Sequence, residues 1–113
     1  MTVIPSEAEG SKTQNKMKAI FISYNQAYNM EIADILEQAG CKGMTMWQDI
    51  CGRGSLTGEP HLGNHAWPTM NNAILAFIPD DREAEILAAI KEKDEETPAL
   101  GLRAFTWSVE KSY

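Results

Sequence analysis

The stretch "CGRGSLTGEPHLGNHAWPTMNN", residues 51–72, gathers both histidines of the chain, a thiol, an arginine and four glycines. Glycines at 52, 54 and 58 let backbone N–H groups approach an anion closely, as in anion-binding nests. Arg53 adds a planar guanidinium fork that suits a carboxylate or a phosphate. His61 and His65, with Cys51 nearby in sequence, supply neutral imidazoles and a thiolate of the kind that hold a soft metal. Their i, i+4 spacing imitates a helical zinc pair, but Pro60, Gly63 and Asn64 oppose a helix there. A structural metal site usually needs four ligands, so metal is the less favoured reading. The Walker lysine is missing, which excludes a P-loop.

Outside this stretch, Arg103 opens an alternating run directly after a turn and is the second anion candidate. The plain alternative for either arginine is a surface ion pair with one of sixteen acidic residues, worth ~0–1 kcal/mol. Thr45 offers a hydroxyl to a ligand edge, or is simply a β-branched strand residue. Catalysis has no foothold. There is no G-x-S-x-G elbow, no histidine on a rigid element, and no carboxylate pair on a buried face. Asp49, beside the long stretch, is the one carboxylate placed like an acid or base, and it has no evident partner. The expectation is a protein that is not an enzyme. The six methionines and three tryptophans read as packing or interface residues.

The bulk composition narrows the partners. The 113 residues suit one domain, and a net charge of -6 argues against nucleic acid, whose phosphates need a basic face. No apolar run is long enough to span a bilayer, and the N-terminal residues lack the apolar core of a signal peptide. A soluble, cytoplasmic protein with no direct membrane insertion is expected. Cys41 and Cys51 are separated by a strand-like run rising ~3.3 Å per residue, far beyond the ~7 Å limit for a disulfide. Reduced thiols follow.

The elements that must position these groups are legible from periodicity. Residues 1–16 are polar and aperiodic and read as a disordered tail, leaving a domain at 17–113 with a long loop at 51–71. "MKAIFISY", residues 17–24, reads as a buried strand. Ile32, Ile35, Leu36 and Ala39 form one helical face, with Asn25 or Asn29 as N-cap and Gly40 as C-cap. "MTMWQDI", residues 44–50, and "NAILAFI", residues 72–78, read as strands. "PDDREAEILAAIKEK", residues 79–93, reads as a helix with anions at its N-terminus, and "DEETPALG", residues 94–101, as a polar turn. In "RAFTWSV", residues 103–109, Phe105, Trp107 and Val109 alternate with Ala104, Thr106 and Ser108.

The order β-α-β-β-α-β predicts an α+β, ferredoxin-like fold, a four-stranded antiparallel sheet with two helices on one face. The first and third strands, apolar on both faces, belong at the centre. Two helices cover only one side of the sheet, so Ile, Leu and Phe on the other side call for a second copy.

The words "MKAIFISY", "ILEQAGCKGMTMWQDICGRG" and "AILAFIPDDREAEILAAIKE" resemble the P-II signalling proteins in order and spacing over roughly residues 17–110. Gly43, Met44 and Thr45 match the motif that opens the family's second strand. Gly52 and Arg53 match the base of its long effector loop, and Pro79, Asp80 and Asp81 match the run before its second helix. The resemblance implies a homotrimer that binds a small anionic effector of the ATP, ADP or AMP type between subunits. It further implies that the loop regulates a partner protein, a membrane transporter among the candidates. The ligand residues it points to are Thr45, Gly52, Arg53, Gly54, Gly58 and Arg103, with no cofactor required.

The chain departs from the family as well. "ALGLRAF" stands where the family has a G-D-G-K-I-F turn, so Arg103 replaces its lysine and Leu102 a glycine. No arginine pair occurs in "SVEKSY", no loop glutamine follows Arg53, and the loop has no tyrosine. The expectation is a divergent P-II-like protein. The alternative is a metal-responsive trimer of the CutA type, using His61, His65 and Cys51.

Overall fold

The computed structural model describes residues 16–41, 43–53, 58–66, 68–97 and 101–113. Apart from Lys16, the expected tail lies outside them. Strand β1 spans Met17–Asn25, helix α1 Asn29–Gln38, β2 Gly43–Ile50, β3 Asn71–Pro79, α2 Glu83–Glu96 and β4 Arg103–Ser108. The sheet order is β2-β3-β1-β4. The β1–β3, β1–β4 and β2–β3 pairs are all antiparallel. This is the ferredoxin-like arrangement, with the two most apolar strands in the middle as their composition requires.

Local chemistry explains where the helices begin and end. Asn25 caps a short 3-10 turn by accepting a hydrogen bond from the Ala27 N–H, and α1 follows directly at Asn29. Gly40 takes the left-handed conformation, φ 82, which lets the Cys41 N–H close back on the Leu36 carbonyl at 3.0 Å and ends the helix. A 3-10 turn over Asp80–Arg82 precedes α2.

Helix α2 runs further than its sequence suggests. Asp94, Glu95 and Glu96 are helical, not part of a turn. Acidic residues are adequate helix formers and nothing in them breaks the ladder. Lys93 pairs with Glu96 at 3.6 Å, and its carbonyl accepts from the Thr97 N–H. The first breaker is Pro98.

The pleat sorts side chains onto two faces. Ile20, Ile22 and Tyr24 of β1 and Ile74, Ala76 and Ile78 of β3 lie under the helices. There they form a fully enclosed core with Ile32, Leu36, Ile86 and Ile90. The opposite face carries Phe21, Leu75, Phe77, Phe105, Trp47 and Trp107, cross-strand partners or neighbours in the observed register. Nothing within the described chain covers it: Trp47 and Phe77 are 45% exposed, Trp107 49% and Phe105 59%. The isoleucines of β1 and β3, expected on both sides, all lie on the covered side, and the open face is aromatic. In β4 the small residues Ala104 and Thr106 face the helices, while Phe105 and Trp107 face away.

Ile74→Ala is expected to lower unfolding stability by ~2–5 kcal/mol through the cavity it leaves. At low protein concentration, Phe105→Ala should cost less than half as much. Denaturant titration of the two variants checks this, and equal losses would mean that the open face is covered within one chain.

Candidate functional site

The connection between β2 and β3 leaves and rejoins the sheet at one end, and adjacent asparagines at the start of β3 hold its two roots from opposite faces. On the helix side, Asn72 Oδ1 accepts from the Asp49 N–H at 3.2 Å. The register of β2 against β3 shifts between Trp47 and Ile50, and Asp49 sits at φ 57, a left-handed conformation that aspartate tolerates better than most residues. The Asn72 amide also donates to Asn29 Oδ1 at 3.2 Å. The Tyr24 hydroxyl donates to the same oxygen. Burial pushes the Tyr24 phenol above its ordinary pKa, with the Asn72 side chain acting in the opposite direction.

On the open side, Asn71 is the hub. Its Oδ1 accepts from His61 Nδ1 at 2.6 Å, and its amide donates to Ser23 Oγ on β1 at 3.3 Å. An amide oxygen only accepts, so the His61 proton sits on Nδ1. The backbone of His61 pairs with Gly52 in both directions. The Gly52 N–H donates to the His61 carbonyl at 2.8 Å, and the His61 N–H donates to the Gly52 carbonyl at 2.7 Å. This isolated antiparallel bridge closes the base of the connection.

Among the sequence-derived ligand candidates, Gly52 is thus drawn to the same corner as His61, and its N–H is already used. Arg103 lies opposite Ser23 in the β1–β4 register, on the open face and near this corner. It is half-buried, and its Nη1 donates to the Leu102 carbonyl at 2.6 Å. Arg53, next to the bridge in sequence, is exposed and Gly58 is half-buried, whereas Gly54 lies outside the described residues. Thr45 is exposed on the open face, opposite Leu75, further along β2.

The metal candidates do not converge. His61 is buried, His65 is exposed, and the Cys51 thiol donates to the Leu62 carbonyl at 3.3 Å. Among the described residues no group of three or more His, Cys, Asp or Glu is placed to hold an ion. Ser23, Asn71 and Asn72 were not singled out from sequence. Their signal was faint but present: two consecutive asparagines at the start of an apolar strand, where asparagine is disfavoured.

Cys41 and Cys51 are both free thiols, the first buried and the second exposed. Burial pushes the Cys41 thiol above its ordinary pKa. Among the described residues no helix is long and apolar enough to cross a membrane.

No protein-family model matches the sequence, and no curated protein matches it. Solved structures do. The chain is similar to CPII, a nitrogen regulatory PII-like protein from Thiomonas intermedia solved with ADP, AMP and bicarbonate. The TM-score is 0.65 and the identity 19%, over 85% of this chain and 90% of that one. It is also similar to a PII-like signaling protein from Thermus thermophilus, with TM-score 0.60 and 19% identity over 83% and 87% of the two chains. A DUF3240-family protein from Shewanella baltica superposes with TM-score 0.60 at 15% identity, over 86% and 93%. The fold is that of the PII-like proteins.

A native-state alkylation time course at pH 8 should label Cys51 rapidly and Cys41 only as fast as the protein unfolds. A raised thiol pKa favours the folded state until pH climbs through the folded value, so the protection fades at alkaline pH. Equal labelling rates at pH 8 would place Cys41 in solvent.

Proposed function

We propose that the chain is a trimeric, P-II-like signal-transduction protein. It binds a small anionic effector, an adenine nucleotide or similar, between subunits and regulates a partner protein through the connection at residues 51–71. The observation that carries this reading is the aromatic open side of the sheet, with the roots of the long connection anchored at its edge. Fully burying a large apolar side chain contributes ~1.5–3 kcal/mol. Half of that for each of Phe21, Trp47, Leu75, Phe77, Phe105 and Trp107 sums to roughly 5–9 kcal/mol, comparable with the ~4–15 kcal/mol cost of association.

Packing those sheets together places the rims of neighbouring copies side by side. On this reading Gly52, Arg53 and Arg103, with Thr45 further along β2, serve the ligand, in a chain whose net charge of -6 leaves few cations to spare. Arg53 and Arg103 are the cations this reading assigns to the anion. That the similar Thiomonas protein holds ADP, AMP and bicarbonate supports the choice of ligand class. The reading is non-catalytic: Asp49 contributes its backbone N–H to the architecture, and no acid–base pair accompanies it among the described residues. The regulated protein, a membrane transporter among the candidates, would read the connection in its ordered or released form, an order–disorder switch of known type.

Light scattering is expected to give the mass of three chains for the native protein and of one chain for Trp107→Glu, which puts a charge on the buried interface. A native monomer at micromolar concentration would overturn the trimer. Titration calorimetry against ATP, ADP, AMP, cyclic nucleotides, 2-oxoglutarate and bicarbonate tests the effector class, and silence with all of them would overturn it. Arg103→Ala should weaken the anion that binds by ~1.5–3 kcal/mol, the worth of a charged hydrogen bond. Unchanged affinity would remove Arg103 from the site.

A further inference from the structure

We propose that His61 is the bolt of an autoinhibitory latch, closed when no effector is bound and opened when an anion takes the Gly52 N–H. The inference deepens the effector reading above and rests on it. The argument begins with burial. Leu62, Gly63, Asn64, His65 and Ala66 are all exposed, yet His61 is only 4% exposed and its partner Asn71 only 2%. A polar ring from a largely exposed connection is driven into the protein only where its hydrogen bonds are met. Here Asn71 meets Nδ1 and is itself tied to Ser23 of the central strand β1.

The surrounding backbone is cut to fit this ring and its partner. A Cβ at Gly52 would stand 2.5 Å from Asn71 Nδ2. At Gly101, φ +62, a Cβ would stand 2.8 Å from His61 Cε1. Both glycines are therefore accounted for by the clasp. His61 touches the root of the connection through Gly52 and the approach to β4 through Gly101, two residues before Arg103.

The competition lies in one hydrogen atom. The Gly52 N–H, the donor an anion would use at the base of the connection, is donated to the His61 carbonyl at 2.8 Å. A backbone N–H makes one good hydrogen bond at a time. An anionic oxygen can take it only by displacing that carbonyl, which breaks the two-bond bridge and withdraws the support that seats the imidazole on Asn71. Exchange of a neutral acceptor for a charged one is favourable. The effector thus gains a stronger bond, and the connection is set free to be read by a partner. Closed latch and bound anion are mutually exclusive states of the same donor.

The test combines amide hydrogen exchange with ADP titration on the full chain, in wild type, His61→Leu and His61→Asn. The Asn side chain presents an amide donor about where Nδ1 stands and should rescue the latch. The expected result is slow exchange at Gly52 and His61 in the ligand-free protein; adding ADP should free the His61 N–H while the anion keeps Gly52 protected, and His61→Leu should lose protection at both without ligand. His61→Leu should bind ADP at least about fivefold more tightly than wild type, because it no longer competes, and His61→Asn should return toward wild type. ADP binding to His61→Leu alone overturns a latch that the anion itself opens. Equal ADP affinity in all three proteins, or weaker binding by His61→Leu, overturns the latch and leaves the effector site standing. Fast exchange at Gly52 in the ligand-free wild type overturns it as well. ADP binding to none of them brings down the effector reading, and the latch with it. Asn71→Ala, which removes the receptor of the bolt and keeps His61 and Gly52 themselves, serves as the second variant should His61→Leu fold poorly, with the same expected tightening.

Discussion

A sheet has two sides, and this chain supplies helices for one. That imbalance governs the rest of the molecule. The side under α1 and α2 is packed with buried isoleucine and leucine, and its stability is internal. The other side is built from Phe21, Phe77, Phe105, Trp47 and Trp107, with Leu75 among them, and the alternation of β4 commits its two largest residues to it. Had Phe105 and Trp107 been placed one residue earlier or later, the pleat would have turned them into the core and left Ala104 and Thr106 outside. The register therefore decides that the aromatic surface is an outward one. Large aromatic side chains are the usual currency of protein interfaces, because they bury much area at small conformational cost.

Much of this was visible in the amino-acid order, for a physical reason. Period-two and period-3.6 patterns report which residues share a face, so strand and helix order, and the central place of the first and third strands, could be read from Ile, Phe and Leu spacing alone. What periodicity does not report is which side of the sheet the helices choose. The expectation of isoleucine on the open side failed because the helices packed over every isoleucine of β1 and β3. The overlong polar turn failed for a simpler reason. Charged residues carry no period of their own, and α2 continued through Asp94 to Glu96 until Thr97 and the proline that follows it.

Residue type drew attention to the charged candidates and passed over the neutral anchors. Arg53, Arg103 and the glycine at 52 announce themselves by type. The asparagines that anchor the connection do not, because the meaning of Asn71 and Asn72 depends on their pointing to opposite faces of one strand. Two neighbours in sequence become anchors for two different ends of a connection, Asn72 holding Asp49 at its departure and Asn71 holding His61 on its return. His61 shows the same limit. Its spacing from His65 invites a metal, but spacing cannot foresee that one ring turns inward to an amide while the other stays in solvent.

Asn71 also ties the connection to the open face. Asn71 shares its face with Ser23 and Arg103, and with the aromatic residues further along the same strands. A second copy seated on that surface would abut the corner where Gly52, His61 and Gly101 meet, so any effector lodged at the rim would touch the interface and the root of the connection together. Coupling then needs no long path through the molecule. On the proposed reading, one hydrogen-bond donor, shared between a carbonyl of the connection and an arriving anion, would make occupancy of the rim and the state of the connection a single equilibrium.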